Sequence, residues 1–142
     1  MDNTHGLMAS RARYIHAFER QSSPAKRVVI ALAGPPGSGK STAAQRVVNL
    51  LNQDRQDPWA QILPMDGFHY PQQVLDQFPN RVEAHARRGT DWTFDALKLL
   101  NFVRGLRPSD TDSTDIIYAP GFDHAMKDPT PDAITILSLI HI

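Results

Sequence analysis

The stretch RVVIALAGPPGSGKSTAAQRVVNLL, residues 27–51, changes its hydrophobic period halfway along. Its first part, Arg27 to Gly34, is an unbroken β-branched and aliphatic run, as in a strand covered on both faces within a parallel sheet. Beyond the glycines, Ala44, Val47, Val48 and Leu51 fall at i, i+3, i+4 and i+7, the apolar stripe of a helix beginning near Lys40. The stretch therefore reads as strand, glycine loop and helix, the opening unit of an α/β fold with a parallel sheet.

The loop itself, Gly34-Pro35-Pro36-Gly37-Ser38-Gly39-Lys40-Ser41-Thr42, satisfies G-x-x-x-x-G-K-[ST]. At average composition a chain of 142 residues matches that pattern by accident with a probability of about half a per cent. Each residue type has a physical task. Gly34 turns the chain off the strand, while Gly37 and Gly39 take backbone angles that side chains oppose. Consecutive NH groups then line a concave anion site at a helix N-terminus. Lys40 is placed to reach the β and γ phosphates of a nucleotide, and the Ser41 hydroxyl to join the shell of a magnesium ion. Pro35 and Pro36 lack NH groups, but they precede the donors, which run from Gly37 to Thr42; there their fixed φ stiffens the approach. The fold class implied is the P-loop NTPase, three layers α/β/α around a parallel sheet, and ATP with Mg2+ is the expected cofactor pair.

Composition bounds the rest. Fifteen basic and 15 acidic side chains cancel, so the overall balance gives no argument for a nucleic acid or an anionic membrane as partner. There is no cysteine, which removes disulfides, thiolate metal sites and thiol nucleophiles. No signal-like or membrane-spanning run occurs, and the cytoplasm is the expected location.

Outside the loop, Leu7, Tyr14, Ile15 and Phe18 give a leading helix within residues 7–20. A short strand is expected in Ala60 to Met65, ending in the turn Asp66-Gly67. Tyr70 to Thr93 reads as a loop with one helical turn around Val74 to Phe78. Helix returns over Phe94 to Leu106 on the stripe Ala96, Leu99, Leu100 and Val103, with Thr93 as candidate N-cap and Gly105 and Pro108 marking the end. Ser109 to Thr114 is a turn, and the IIYAP segment a brief strand.

Nucleotide binding alone does not name an activity. The Asn-Lys-x-Asp element of GTPases and the Leu-Ser-Gly-Gly signature of ABC-type ATPases are absent. An AAA-type ATPase shares the Gly-Pro-Pro-Gly opening, but its Asp-Glu strand does not occur in these residues. LPMDGFHYP, residues 63–71, adds what a small-molecule kinase needs. A carboxylate at the carboxyl end of a parallel strand faces the ligand crevice. There Asp66 could accept a proton from an acceptor hydroxyl and orient it for attack on the γ-phosphoryl, or it could simply start a turn.

The ordered set GPPGSGKST, MDGFHYP, RRGTDWTFDALKLLNFVRGL and APGFDHAMKDPTPDAI resembles the phosphoribulokinase/uridine kinase family. It is most similar to the branch with type I pantothenate kinase, nucleoside/nucleotide kinase family proteins and a fructose-transport-associated kinase. The resemblance covers Arg27 to Ile136 and implies ATP-dependent phosphotransfer to a hydroxyl of a small metabolite. It makes Asp66 and Lys40 the catalytic residues, Gly34 to Thr42 the cofactor-binding loop and Ser41 the metal contact. For the acceptor it implies His69, Tyr70, Arg88, Phe122 and Asp123, with Arg87 and Arg88 either meeting an anionic group or forming a solvated pair. His69 and Phe122 stand where uridine kinases carry tyrosine, which puts uridine as the acceptor in doubt. A P-loop ATPase, or a nucleotide-binding regulatory module without a metabolite acceptor, is the alternative. No nucleic acid or membrane partner is implied, and a homodimer of the full-length protein is left open.

The family pattern continues through a central strand with a magnesium-associated Glu and an Arg-rich lid, which these residues do not include. The last six residues, LSLIHI, read as a translated sequencing adapter, with a natural apolar strand as the alternative. The expected organisation is thus a leading helix and connection over 1–26, the N-terminal part of a kinase domain over 27–136, and a non-native tail over 137–142. A chain lacking the central strand is expected to be inactive and poorly stable.

Overall fold

A computed structural model describes residues 3–22, 27–54, 56, 58–106, 116–136 and 140–141. The chain divides into two compact units, residues 1–63 with 106–116 and 136–142, and residues 64–105 with 117–135.

In the first unit α1 (Thr4–Ser22) packs on α2 (Lys40–Asn52), which follows β1 (Val28–Val29). The α2 stripe is the one its sequence specifies: Ala44, Val47, Val48 and Leu51 are buried. Against it α1 turns Ala9 and Ala12, whose small side chains let two helix backbones approach, and Arg13 donates to the Leu50 carbonyl. The end of α2 is tied to β2 (Ala60–Gln61) by one side chain. Asn52 Oδ1 accepts from the backbone NH groups of Trp59 and Ala60, both at 3.0 Å, while its Nδ2 donates to Ala60 O at 2.9 Å. Trp59, buried beside Leu51, donates its indole NH to the Leu51 carbonyl and meets His16 edge-on at 4.6 Å. A side chain that satisfies three backbone groups fixes the turn between helix and strand without further packing.

Among the described residues, strand pairing covers Val28 and Val29 of Arg27 to Gly34, and Ala31 and Ala33 are exposed. The order is β1-β5-β2, all parallel, with β5 (Ile140–His141) in the middle and the registers Val28↔Ile140 and Ala60↔Ile140. Ile30 and Leu32 instead line an open apolar cleft with Ala12 and Val47. The central strand thus comes from the stretch expected to be a foreign tail. The turn expected over Ser109 to Thr114 lies outside the described residues.

The second unit departs further from the sequence reading. Tyr70 to Thr93 holds two short helices, α3 (Gln72–Leu75) and α4 (Arg81–Ala86), and a 3-10 turn at Asp91–Thr93, where a loop with one helical turn was expected. Neither helix is long enough to show a period, which is why the sequence hides them. The following helix, α5 (Ala96–Leu106), starts two residues late. Asp95, not Thr93, caps it: Asp95 Oδ1 accepts from Lys98 N at 2.8 Å. Thr93 is buried and bonds Thr90 O and Gly89 N instead. The inward stripe is Leu99, Phe102, Val103 and Leu106, one position round from the expected one, leaving Ala96 and Leu100 exposed. Phe102 decides the rotation by packing on the fully buried Phe68, centroids 5.4 Å apart.

The brief strand expected at IIYAP is longer, β3 (Ile117–Asp123), and turns back through residues 124–127 into β4 (Asp128–Ile136) as a two-stranded ribbon. Pro129 and Pro131 conceal β4 in the sequence. Two residues apart, both remove an NH on the same side of the strand, which a two-stranded ribbon leaves unpaired.

Candidate active site: a phosphate loop and an acceptor cleft

The first functional element lies wholly in the first unit. Gly37 and Gly39 have φ of +75° and +80°, the left-handed region where any other side chain is strained. A Cβ at either would meet nothing within 4 Å, so the requirement for glycine there is conformational. At Gly34 a Cβ would sit 3.0 Å from Ser38 Oγ, a tight contact that a turn of the serine side chain can relieve. Ser38 N closes a turn onto Pro35 O at 3.2 Å, so its NH is directed within the loop rather than outward. Lys40 Nζ donates to the carbonyls of Gly34 at 2.7 Å and Pro35 at 2.8 Å, which lays the ammonium across the loop. Gly39 offers no side chain to cap α2, so no side chain occupies the first NH groups of that helix. Backbone NH groups, a helix N-terminus and a bridging ammonium are the chemistry that can attract an anion. The Ser41 hydroxyl stands in the first turn of the same helix, where it fits a magnesium ion carried by a nucleotide.

The second element lies wholly in the second unit. Met65–Phe68 forms a 3-10 turn packed on β3. Gly67 makes this contact: a Cβ there would lie 2.1 Å from Pro120 O and 2.5 Å from Pro120 C. Asp66 is thereby held beside the hairpin, exposed, with no hydrogen-bond or ion-pair partner for its carboxylate among the described residues. It opens onto a cleft of about 440 Å3 lined also by Pro64, Gly121, Phe122, Asp123, His124, Thr130, Ala133 and Ile134. Asp123 Oδ1 accepts from Ala125 N at 2.8 Å and Met126 N at 3.0 Å, closing the hairpin turn. The Met126 NH, then the Ala125 NH, hold its carboxyl below the usual carboxylate range.

Of the acceptor residues expected from the sequence, Phe122 and Asp123 line the cleft with Asp66, whereas His69, Tyr70 and Arg88 lie off its lining. The His69 ring stands edge-on to Phe94 at 5.3 Å and to Phe122 at 5.9 Å, with Nδ1 buried and unpartnered among the described residues. Tyr70 packs on Phe78. Arg88 is drawn into the fold: NH2 donates to Tyr70 O at 2.8 Å and Asp128 Oδ1 at 3.0 Å, NH1 donates to Lys127 O, and the guanidinium lies 5.4 Å from the Phe122 centroid. Arg87, by contrast, is an exposed partner of Glu83. His85 pairs with Asp76 at 2.9 Å. Thr130 and the exposed His124 also stand on the lining without having been expected there; the hairpin that carries both to the cleft has its second strand concealed by proline in the sequence.

No family model matches the chain. Its curated relatives include a Schizosaccharomyces pombe protein provisionally named uridine kinase C227.14, 46% identical over 111 residues that make up 78% of this chain and 46% of that protein. The ATP-dependent kinase YFH7 of Saccharomyces cerevisiae is 35% identical over 140 residues, 80% of this chain and 39% of that one. Among solved structures, a provisionally named fructose transport system kinase from Silicibacter superposes with a TM-score of 0.72 at 25% identity, covering 98% of this chain and 62% of that chain. The crystal structure of Saccharomyces cerevisiae YFH7 gives 0.73 at 23% identity, covering 94% and 72%.

The chain has the P-loop kinase fold, and its relatives carry kinase names. The resemblance seen in the ordered motifs holds at that level, as does the α/β class. The chain spans between about a third and a half of the curated relatives it matches, 31% to 46% of their length for the first two. No helix among the described residues is long and apolar enough to cross a membrane.

Proposed function

We propose that this chain supplies the phosphate loop and the acceptor carboxylate of a kinase that transfers the γ-phosphoryl of ATP to a hydroxyl of a small metabolite. The observation that carries the reading is Asp66, an unpartnered carboxylate on the wall of an open cleft, in a chain that also holds a glycine loop of anion-binding geometry.

When bound, ATP with magnesium supplies the electrophilic phosphoryl group. Residues Gly37 and Gly39 to Thr42 would hold the phosphates through backbone NH groups, Ser38 N being bonded within the loop, and the Ser41 hydroxyl would contact the metal. Lys40 would exchange its two carbonyl partners for phosphate oxygens and neutralise charge there. Asp66 would accept a hydrogen bond from the acceptor hydroxyl, orient its oxygen and take its proton. Among the described residues no three His, Asp or Glu side chains gather as a metal site, so the reading gives the metal to the nucleotide rather than to a protein cage.

In the full-length protein Asp66→Asn is expected to lower phosphotransfer at least about a hundredfold while leaving ATP affinity within a factor of about two. Nucleotide affinity by calorimetry and product formation by mass spectrometry separate the two effects. An Asp66→Asn protein that turns over as the parent does would point instead to a P-loop ATPase or a regulatory nucleotide-binding module.

A further inference from the structure

The cleft beside Asp66 constrains the charge of its occupant. We propose that the acceptor is an uncharged polyhydroxylated metabolite, and that the cleft selects against acceptors bearing phosphate or carboxylate; the inference deepens the phosphotransfer reading and rests on it.

Two carboxylates, Asp66 and Asp123, stand on the lining, and no lysine or arginine does among the described residues. Asp123 stays ionised because two backbone NH groups point at its Oδ1. The arginine beside Phe122 cannot supply the missing cation as it stands. Arg88 is paired with Asp128, donates to the carbonyls of Tyr70 and Lys127, and keeps only 14% of its side chain exposed. Withdrawing it would take a donor from the Tyr70 carbonyl and leave the Asp128 carboxylate with Gln72 N, which donates to Oδ1 at 2.9 Å. What the lining does offer is the Phe122 ring, an apolar wall for the carbon skeleton of an acceptor, and the Thr130 hydroxyl, which donates and accepts. His124 also stands on the lining. An anionic acceptor would enter against two like charges with no cation to offset them, which is discrimination by repulsion.

The test is a set of matched acceptors given to the full-length protein at pH 8: a hexose and its phosphate, a nucleoside and its 5′-monophosphate, panthenol and pantothenate. The neutral member of a productive pair is expected to have kcat/KM at least about tenfold higher. Asp123→Asn keeps an Oδ1 for the hairpin turn while removing the charge, and should narrow the gap chiefly by lowering KM of the charged member. Preference for the charged member, or a gap untouched by Asp123→Asn, would overturn the proposal. Calorimetric binding of the same pairs without nucleotide separates it from the kinase reading. Neutral acceptors that bind but are never phosphorylated would support the charge assignment and remove phosphotransfer; binding of neither member would remove the charge assignment.

Discussion

Gly67 shows how much one residue can decide. Its sequence context suggests only room around Asp66, but the structure gives the reason a side chain is excluded: the Pro120 carbonyl occupies the position of the missing Cβ. Gly67→Ala must therefore push β3 from the 3-10 turn, moving the cleft wall relative to Asp66. We expect a loss of about 1–3 kcal/mol, typical of overpacking a filled site, measured by chemical denaturation. The glycines of the phosphate loop obey a different rule, since Gly37 and Gly39 are required by φ and not by space. Those two were legible because left-handed glycine in such a loop is a local property. The contact at Gly67 was not, because Pro120 is more than 50 residues away in the chain.

At the scale of elements, legibility follows length and period. Helix α2 shows two full turns of apolar repeat, and its four buried residues are the four expected. Helix α5 was found but rotated, because Leu97, Leu99, Leu100, Phe102 and Val103 allow more than one apolar stripe and only the Phe68 contact chooses. The β3–β4 hairpin was half hidden by prolines, and its turn depends on a charge. Asp123 is held below its ordinary pKa by backbone NH groups. A depressed pKa means that the stabilisation is fully present above the unfolded value, about pH 4, and is lost as pH falls through the folded value. The amide proton shifts of Ala125 and Met126 should therefore stay constant from neutral pH down to about pH 4 and inflect below it. Asp123→Asn should remove that inflection; its persistence would show that another group controls the turn.

Across the whole molecule, buried apolar side chains occur in both units. The first unit has a cluster that includes Leu51, 1% exposed, with Val47, Val48 and Trp59; in the second, Phe68 and Leu75 are each without exposed surface. Leu51→Ala is expected to cost about 2–5 kcal/mol, a large share of the roughly 5–15 kcal/mol that stabilises a domain. Loss of the cooperative unfolding transition, or a midpoint shift of that size in urea, would be the observable. An unchanged midpoint would mean that the α1–α2 layer does not carry the first unit.

The sequence by itself determined the strand–loop–helix opening, the left-handed glycines of the loop, the α2 stripe and the candidacy of Asp66, because each follows from local periodicity or from the chemistry of adjacent residues. Only the tertiary structure decided which face α5 buries, and that Arg88 serves the hairpin rather than the cleft. Those outcomes depend on partners distant in sequence, and a single chain read in order carries no record of which carboxylate or ring will meet a given side chain.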